Sequence, residues 1–153
     1  MDQLDIAIIE FLQDDARMPF TDIAKSLGIV EGTVRNRVAK LLDSQVLRLN
    51  ATIDPHRAGF NSPAFIFVTV KPGSLEQVAE QLASIPEVSY LVAVTGETDL
   101  LAEIMCANSE HLMNVLIEHI HTIEDITHTR TSTILRVYKE QLPSLSIIDS
   151  EDS

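Results

Sequence analysis

The chain has no tryptophan, one cysteine and few cations, and each shortage excludes something. A lone cysteine, Cys106, leaves no intramolecular disulfide framework and no cysteine-cluster metal site, and it suits a reducing compartment. Lysine and arginine total 11 against 23 aspartates and glutamates, a formal net charge of -12. Bulk positive charge for coating nucleic acid or anionic membrane is therefore missing. Long apolar runs are missing too: stretches such as 64–68 are far too short to span a bilayer. The start, Met1-Asp2-Gln3-Leu4-Asp5, has neither the basic region nor the apolar run of a secretory signal. These absences predict an acidic cytoplasmic protein that does not enter membranes.

What is present is a chain of 153 residues, 45% hydrophobic and 22% charged, enough for one ordinary domain or two small ones sharing a boundary. Two domains of half this size would be marginal unless they oligomerise. The charge is uneven. Residues 1–60 hold seven cations against nine anions, and the rest hold four against fourteen. Within the first part, the window from Lys25 to Arg48 holds five cations against Glu31 and Asp43, a local +3. Such asymmetry predicts separate tasks for the two halves.

The first 60 residues read as three helices and a strand. Leu4, Ile8, Phe11 and Leu12 recur at helical spacing over 5–14, with acidic residues in the first turn. Pro19 lies in the connection, and Thr21 is placed to cap a second helix over 22–27 that buries Ile23, Ala24 and Leu27. Gly28 is the expected helix C-cap. A third helix starts near Glu31, with Val34, Val38 and Leu41 on one face. At about 100° per residue, the opposite side presents Gly32, Asn36 and Asp43, flanked by Thr33, Arg35 and Lys40. Arg37 lies nearer the apolar stripe, so its stem is expected to pack and its head to pair locally.

Two helices joined by a short glycine turn, the second exposing polar and basic side chains, describe a helix-turn-helix. Thr and Asn can meet base edges, while Arg and Lys neutralise phosphates. A small helical bundle with a solvated basic face has the same periodicity, and periodicity alone does not separate the two. Residues 46–53 then alternate, with Leu47, Leu49, Ala51 and Ile53 on one side, which predicts a strand forming a wing. Asp54-Pro55 and 59–63 mark the boundary.

The second half predicts strand 64–70, a helix with Leu75, Val78, Ala79 and Leu82, and strand 88–94. After the turn at 95–99 come strand 100–105, a helix capped by Asn108 or Ser109 and carrying Leu112 to Ile123, and a last strand 126–138. That is β-α-β-β-α-β, a ferredoxin-like sandwich with both helices on one sheet face. Phe65 and Phe67 oppose Ile66 and Val68, and Tyr90, Val92 and Val94 oppose Leu91 and Ala93. Apolar side chains on both faces predict that a second copy covers the free face, making a homodimer through the sheets. The fold class expected is α+β: a winged helix-turn-helix over 1–60, a ferredoxin-like domain over 61–141 and an acidic tail over 142–153.

Leu4-Asp5, Ala16-Arg17, Ile23-Ala24, Leu27-Gly28, 34–38, Leu41, Asp54-Pro55 and Gly59 follow in an order that resembles the Lrp/AsnC ("feast/famine") family of transcription regulators. In the second half 85–88, Gly96-Glu97-Thr98-Asp99 and Thr129-Arg130-Thr131 are similar to that family's ligand-sensing domain, so the likeness reaches about Glu140. It implies a sequence-specific regulator, not an enzyme, that reads double-stranded DNA, dimerises through its sensing domain and assembles dimers into rings, here an expected octamer. It also implies an amino acid or related small molecule as effector, bound near the Gly-x-x-Asp turn between dimers, and no cofactor. Thr33, Arg35, Asn36 and Lys40 are the central expected DNA contacts, with Thr21, Lys25, Gly32 and Arg37 completing the set. The expected effector residues are Gly96, Glu97, Thr98 and Asp99, whose turn N–H groups can hold a carboxylate while an acid meets an ammonium. A hairpin turn with Gly96 at positive φ and Asp99 bonding its own backbone accounts for Gly and Asp equally well.

Two positions depart from the family pattern. Val30 stands where the family usually has Ser, which removes a helix cap, and Gln45 stands where it favours Gly. Siroheme decarboxylases of the same architecture offer a rival, since His56-Arg57-Ala58-Gly59-Phe60 resembles one of their segments. Their Tyr- and Trp-rich substrate segments have no counterpart here. A regulatory partner that has lost DNA binding is the remaining alternative. The five histidines show no ligand spacing: His119 and His121 would point about 200° apart on a helix, and His56, His111 and His128 stand apart. Cys106 lacks an obvious His or Asp partner and reads as an inert thiol.

Overall fold

The computed structural model describes residues 1–140, so the expected acidic tail lies outside the described residues. The described chain divides into two units, one of Met1–Thr52 together with residues 139–140 and the other of Ile53–Tyr138.

The N-terminal unit is built from α1 (Gln3–Asp14), α2 (Phe20–Leu27) and α3 (Glu31–Asp43). Helix α1 begins two residues earlier than its apolar spacing suggests, because Asp2 and Asp5 form a reciprocal capping box. Helix α2 starts at Phe20, so Thr21 is its second residue and not its cap. Pro19 takes that position: its fixed φ of -59° suits a helix start, and its carbonyl accepts from the N–H groups of Asp22 and Ile23. Gly28 is left-handed at φ 67° and closes α2, with the Ile29 N–H donating to the Ala24 carbonyl at 3.0 Å. Val30 precedes α3 in extended conformation and supplies no side-chain cap. After α3, Gln45 sits at φ 58°, a left-handed conformation that a glycine would adopt more easily. Ile8, Ile9, Leu12, Ile23, Ala24, Val34, Val38, Leu41 and Leu47 form one buried core.

The strand expected over 46–53 is not formed. Leu47 drops into the helical core, while Val46, Leu49 and Ile53 stay exposed. A strand exists only through its ladder partner. Among the described residues no segment pairs with this one.

The second unit contains β1 (Ala64–Val70), α4 (Leu75–Ala83), β2 (Val88–Ala93), β3 (Leu100–Ile104), α5 (Ser109–Val115) and β4 (Ile126–Thr133). The sheet is antiparallel with order β2-β3-β1-β4, the ferredoxin-like arrangement. Ile66, Val68, Leu100, Ala102 and Ile104 share one core with Val78 and Leu82 of α4 and Leu112 and Val115 of α5, so both helices cover the same face. Asn108 caps α5 by accepting from the His111 N–H. The regular helix stops sooner than expected and continues as a π-helical turn, Leu116–Ile120, closed by His121 N–H on the Leu116 carbonyl at 2.8 Å. That wider turn carries Ile120 into the core. Strand β4 ends at Thr133, not 138, because its partner β1 begins at Ala64; the last bond runs from Ile134 N–H to the Pro63 carbonyl. Beyond it Leu135 and Tyr138 stand in solvent.

Candidate nucleic-acid interface and effector turn

The burial of Val34, Val38 and Leu41 fixes which side of α3 faces outward. Gly32, Arg35, Asn36 and Lys40 are exposed there and Thr33 is half-buried, while α2 adds exposed Thr21 and Lys25 one turn apart. Seven of the eight expected DNA-contact residues thus lie on the outward side of α2 and α3. Lys25 and Lys40 have no ion-pair partner among the described residues. Arg35 pairs with Glu31 one turn back, both well exposed, and its guanidinium lies 5.7 Å from the centroid of the Phe20 ring. An exposed pair of this kind is weak and exchanges readily for a phosphate.

Arg37 is different. Its Nη1 donates to a carboxylate oxygen of Asp2 and, at 2.9 Å, to one of Asp5. Its hydrogen bond, with that of the Asp5 N–H, holds the Asp2 carboxyl below its usual range, and Asp2 and then Asp5 push the guanidinium further up. The local pairing expected for Arg37 is therefore present. Its partners are not named by the sequence pattern, although Asp2-x-x-Asp5 ahead of an apolar run is itself a readable capping signal.

The effector candidates occupy the β2–β3 connection. Gly96 takes φ 128°, a conformation that disfavours a side chain. Asp99 is committed to the fold: its Oδ2 accepts from the Val70 N–H at 2.8 Å, its N–H donates to the Val68 carbonyl, and its carbonyl accepts from Val94. The carboxylate thus stitches the turn to β1 where that strand's register shifts, between Thr69 and Val70. Glu97 is exposed and Thr98 half-buried. Close in sequence to that stitch, Lys71 pairs with Asp125 at 3.0 Å.

Several other polar side chains have structural partners. His111 bridges the Ala107 N–H through Nδ1 and Glu87 through Nε2 at 3.0 Å. Burial raises the Glu87 carboxyl, but its own N–H and His111 outweigh that and leave it below its usual range. His121 meets Thr129 at 3.2 Å. Cys106 is buried, and burial first and Glu87 second push its thiol up, which disfavours the reactive thiolate. No cluster of three metal-ligating side chains occurs among the described residues. Nor is any helix among them long and apolar enough to cross a membrane.

Two family models match: the AsnC-type helix-turn-helix domain over residues 1–42 and the Lrp/AsnC ligand binding domain over 63–143. The HTH-type transcriptional regulator FL11 of Pyrococcus horikoshii is 38% identical over 141 residues, covering 92% of this chain and 93% of its own. The regulator Ptr1 of Methanocaldococcus jannaschii is 31% identical over 141 residues, covering 92% and 95%. Among solved structures, AsnC of E. coli superposes with TM-score 0.88 at 27% identity, covering 94% of this chain and 98% of its own. A Neisseria meningitidis transcriptional regulator solved as its L-Met complex has the same fold, with TM-score 0.86 at 22% identity over 96% and 99%. The relatives are regulators and not enzymes, so neither the decarboxylase nor the DNA-free alternative is favoured. The chain belongs to the Lrp/AsnC family of DNA-binding transcriptional regulators, with an N-terminal helix-turn-helix and a C-terminal ligand-binding domain.

Proposed function

We propose that this regulator acts in the cytoplasm and reads operator DNA through the outward edge of α2 and α3, under the control of an amino acid or related small molecule. The observation that carries the reading is the open face of α3, where Lys40, Asn36 and Arg35 project opposite a buried Val34–Val38–Leu41 stripe. Asn36 and Thr33 are suited to base edges, and Thr21, Lys25, Arg35 and Lys40 to phosphates, with Gly32 allowing close approach of the helix backbone. The effector is assigned to the turn at Gly96, Glu97, Thr98 and Asp99. Glu97 can meet an ammonium and the turn's N–H groups a carboxylate, while Asp99 maintains the shape of the turn.

The outer face of the sheet supports a homodimer as the working unit, and assembly of dimers into an octamer rests on the family resemblance alone. Phe65, Phe67, Val92 and Leu101 are only half-buried there, and Tyr90 is 55% exposed. A face so apolar calls for cover, and a second copy presents the same surface.

Fluorescence anisotropy with a duplex from upstream of the protein's own gene, repeated with each amino acid, tests this reading. Binding in the nanomolar to micromolar range, shifted about fivefold or more by at least one amino acid, is the expected result. Binding that no amino acid alters would overturn the effector assignment, and absence of binding would overturn the whole.

A further inference from the structure

Arg37 stands among the expected DNA contacts, yet its surroundings are those of a fastening. We infer that Arg37 is a positioning residue, whose guanidinium clasps the first turn of α1 and sets the orientation of α3 on DNA. The inference rests on the reading that α3 meets DNA.

The geometry of the clasp is unusually complete. Asp2 Oδ1 accepts from the Asp5 N–H and Asp5 Oδ2 from the Asp2 N–H, both at 2.9 Å. The other oxygen of each carboxylate, Asp2 Oδ2 and Asp5 Oδ1, accepts from the same Nη1 of Arg37. Each acid therefore divides its oxygens between the start of α1 and the middle of α3. Pairing and capping lock together, and one approach of α1 to α3 satisfies all four bonds.

Three further facts favour positioning over phosphate contact. Arg37 is 32% exposed where Arg35 is 64%, so it reaches outward far less. A phosphate brought to Arg37 would meet two carboxylates already within hydrogen-bonding distance, and that repulsion opposes the approach. Lastly, α3 has no side-chain cap at Val30 to fix its start. Apolar packing of Val34 and Val38 resists separation of the helices but is non-directional. Charge-assisted hydrogen bonds are directional and fix rotation and slide. The base-facing residue Asn36 is the immediate neighbour of Arg37, so a small rotation of α3 displaces it directly.

The test is a salt titration of duplex binding by anisotropy for the intact chain and for Asp5→Asn, Arg37→Gln, Arg37→Lys and Lys40→Ala. Asn at position 5 can still accept the Asp2 N–H, so α1 keeps its capping hydrogen bond while one of the two carboxylate charges of the clasp is lost and Asp2 remains paired with Arg37. Asp5→Asn is expected to weaken binding about threefold to tenfold with the salt slope unchanged, although it removes a negative charge. Arg37→Gln should match it, Arg37→Lys should recover part of the affinity, and Lys40→Ala should lower the slope by about one for each copy engaged. Equal or tighter binding by Asp5→Asn overturns the inference, as does a drop of about one in slope for Arg37→Gln. Should Arg37→Gln fail to fold, Asp5→Asn decides alone. If the unsubstituted chain binds no duplex, the DNA reading itself fails and the positioning role falls with it, a result distinct from any produced by the substitutions.

Discussion

At the start of α3, Val30 presents a 71% exposed isopropyl group where a hydroxyl or amide would accept from the helix N–H groups. The backbone is already extended, at φ -86° and ψ 144°, so a capping side chain can be installed without rearrangement. Val30→Ser should raise the stability of the N-terminal unit by about 1 kcal/mol, read as a higher melting temperature by circular dichroism. An unchanged or lower melting temperature would mean that the helix start is satisfied in another way. Residue-scale features of this kind are legible in the sequence where they are local. Gly28 announces its left-handed turn by position, and Val30 its missing cap, whereas the left-handed turn at Gln45 is one of two outcomes its position allows. The partners of Arg37 are not legible, since Asp2 and Asp5 lie more than 30 positions away and only folding brings them together. Asp99 is half legible: a turn-forming role can be read, but not its bond to Val70 on another strand.

Helical periodicity is local, so α1 to α3 and both helices of the sandwich are readable from spacing alone. Strands carry only half of their own definition. Residues 46–53 alternate as a strand should, yet nothing in that pattern says whether a partner exists, and here Leu47 is spent on the helical core instead. For the same reason β4 stops where β1 starts, not where its own alternation ends. The π-helical turn at Leu116–Ile120 has no sequence signature of its own. The two-sided apolarity of β1 and β2 is readable, and its consequence belongs to the sheet. Phe67 lies on the outer face, beneath the guanidinium of Arg130 at 4.4 Å, and stays half-buried without any helix above it. Phe67→Asp should therefore leave the fold intact and abolish the proposed dimer, with light scattering coupled to size exclusion giving half the native mass or less. A variant that keeps the native mass would remove this face from the assembly.

For the whole molecule, the net charge of -12 becomes a matter of where charge is presented. Ten of those negative units lie beyond residue 60, while the window from Lys25 to Arg48 stands at +3. Of that window, Arg37 is paired with Asp2 and Asp5, so on the proposed reading Lys25, Arg35 and Lys40 are the cations that α2 and α3 offer to phosphates. Few phosphates can be neutralised by one copy. Useful affinity then depends on an assembly that presents the same face more than once, so that weak interactions multiply. On the proposed reading, the net negative charge beyond residue 60 opposes DNA there and favours binding at the helix-turn-helix.

The most direct test of this account is the salt dependence of duplex binding by the native protein and by its Arg35→Ala/Lys40→Ala variant. The account predicts weaker binding for the variant on every sequence and a salt slope lower by about two for each copy engaged, near one for each phosphate that is no longer neutralised. An unchanged affinity and slope would show that DNA is held elsewhere, and would contradict the assignment of α3 as the reading helix.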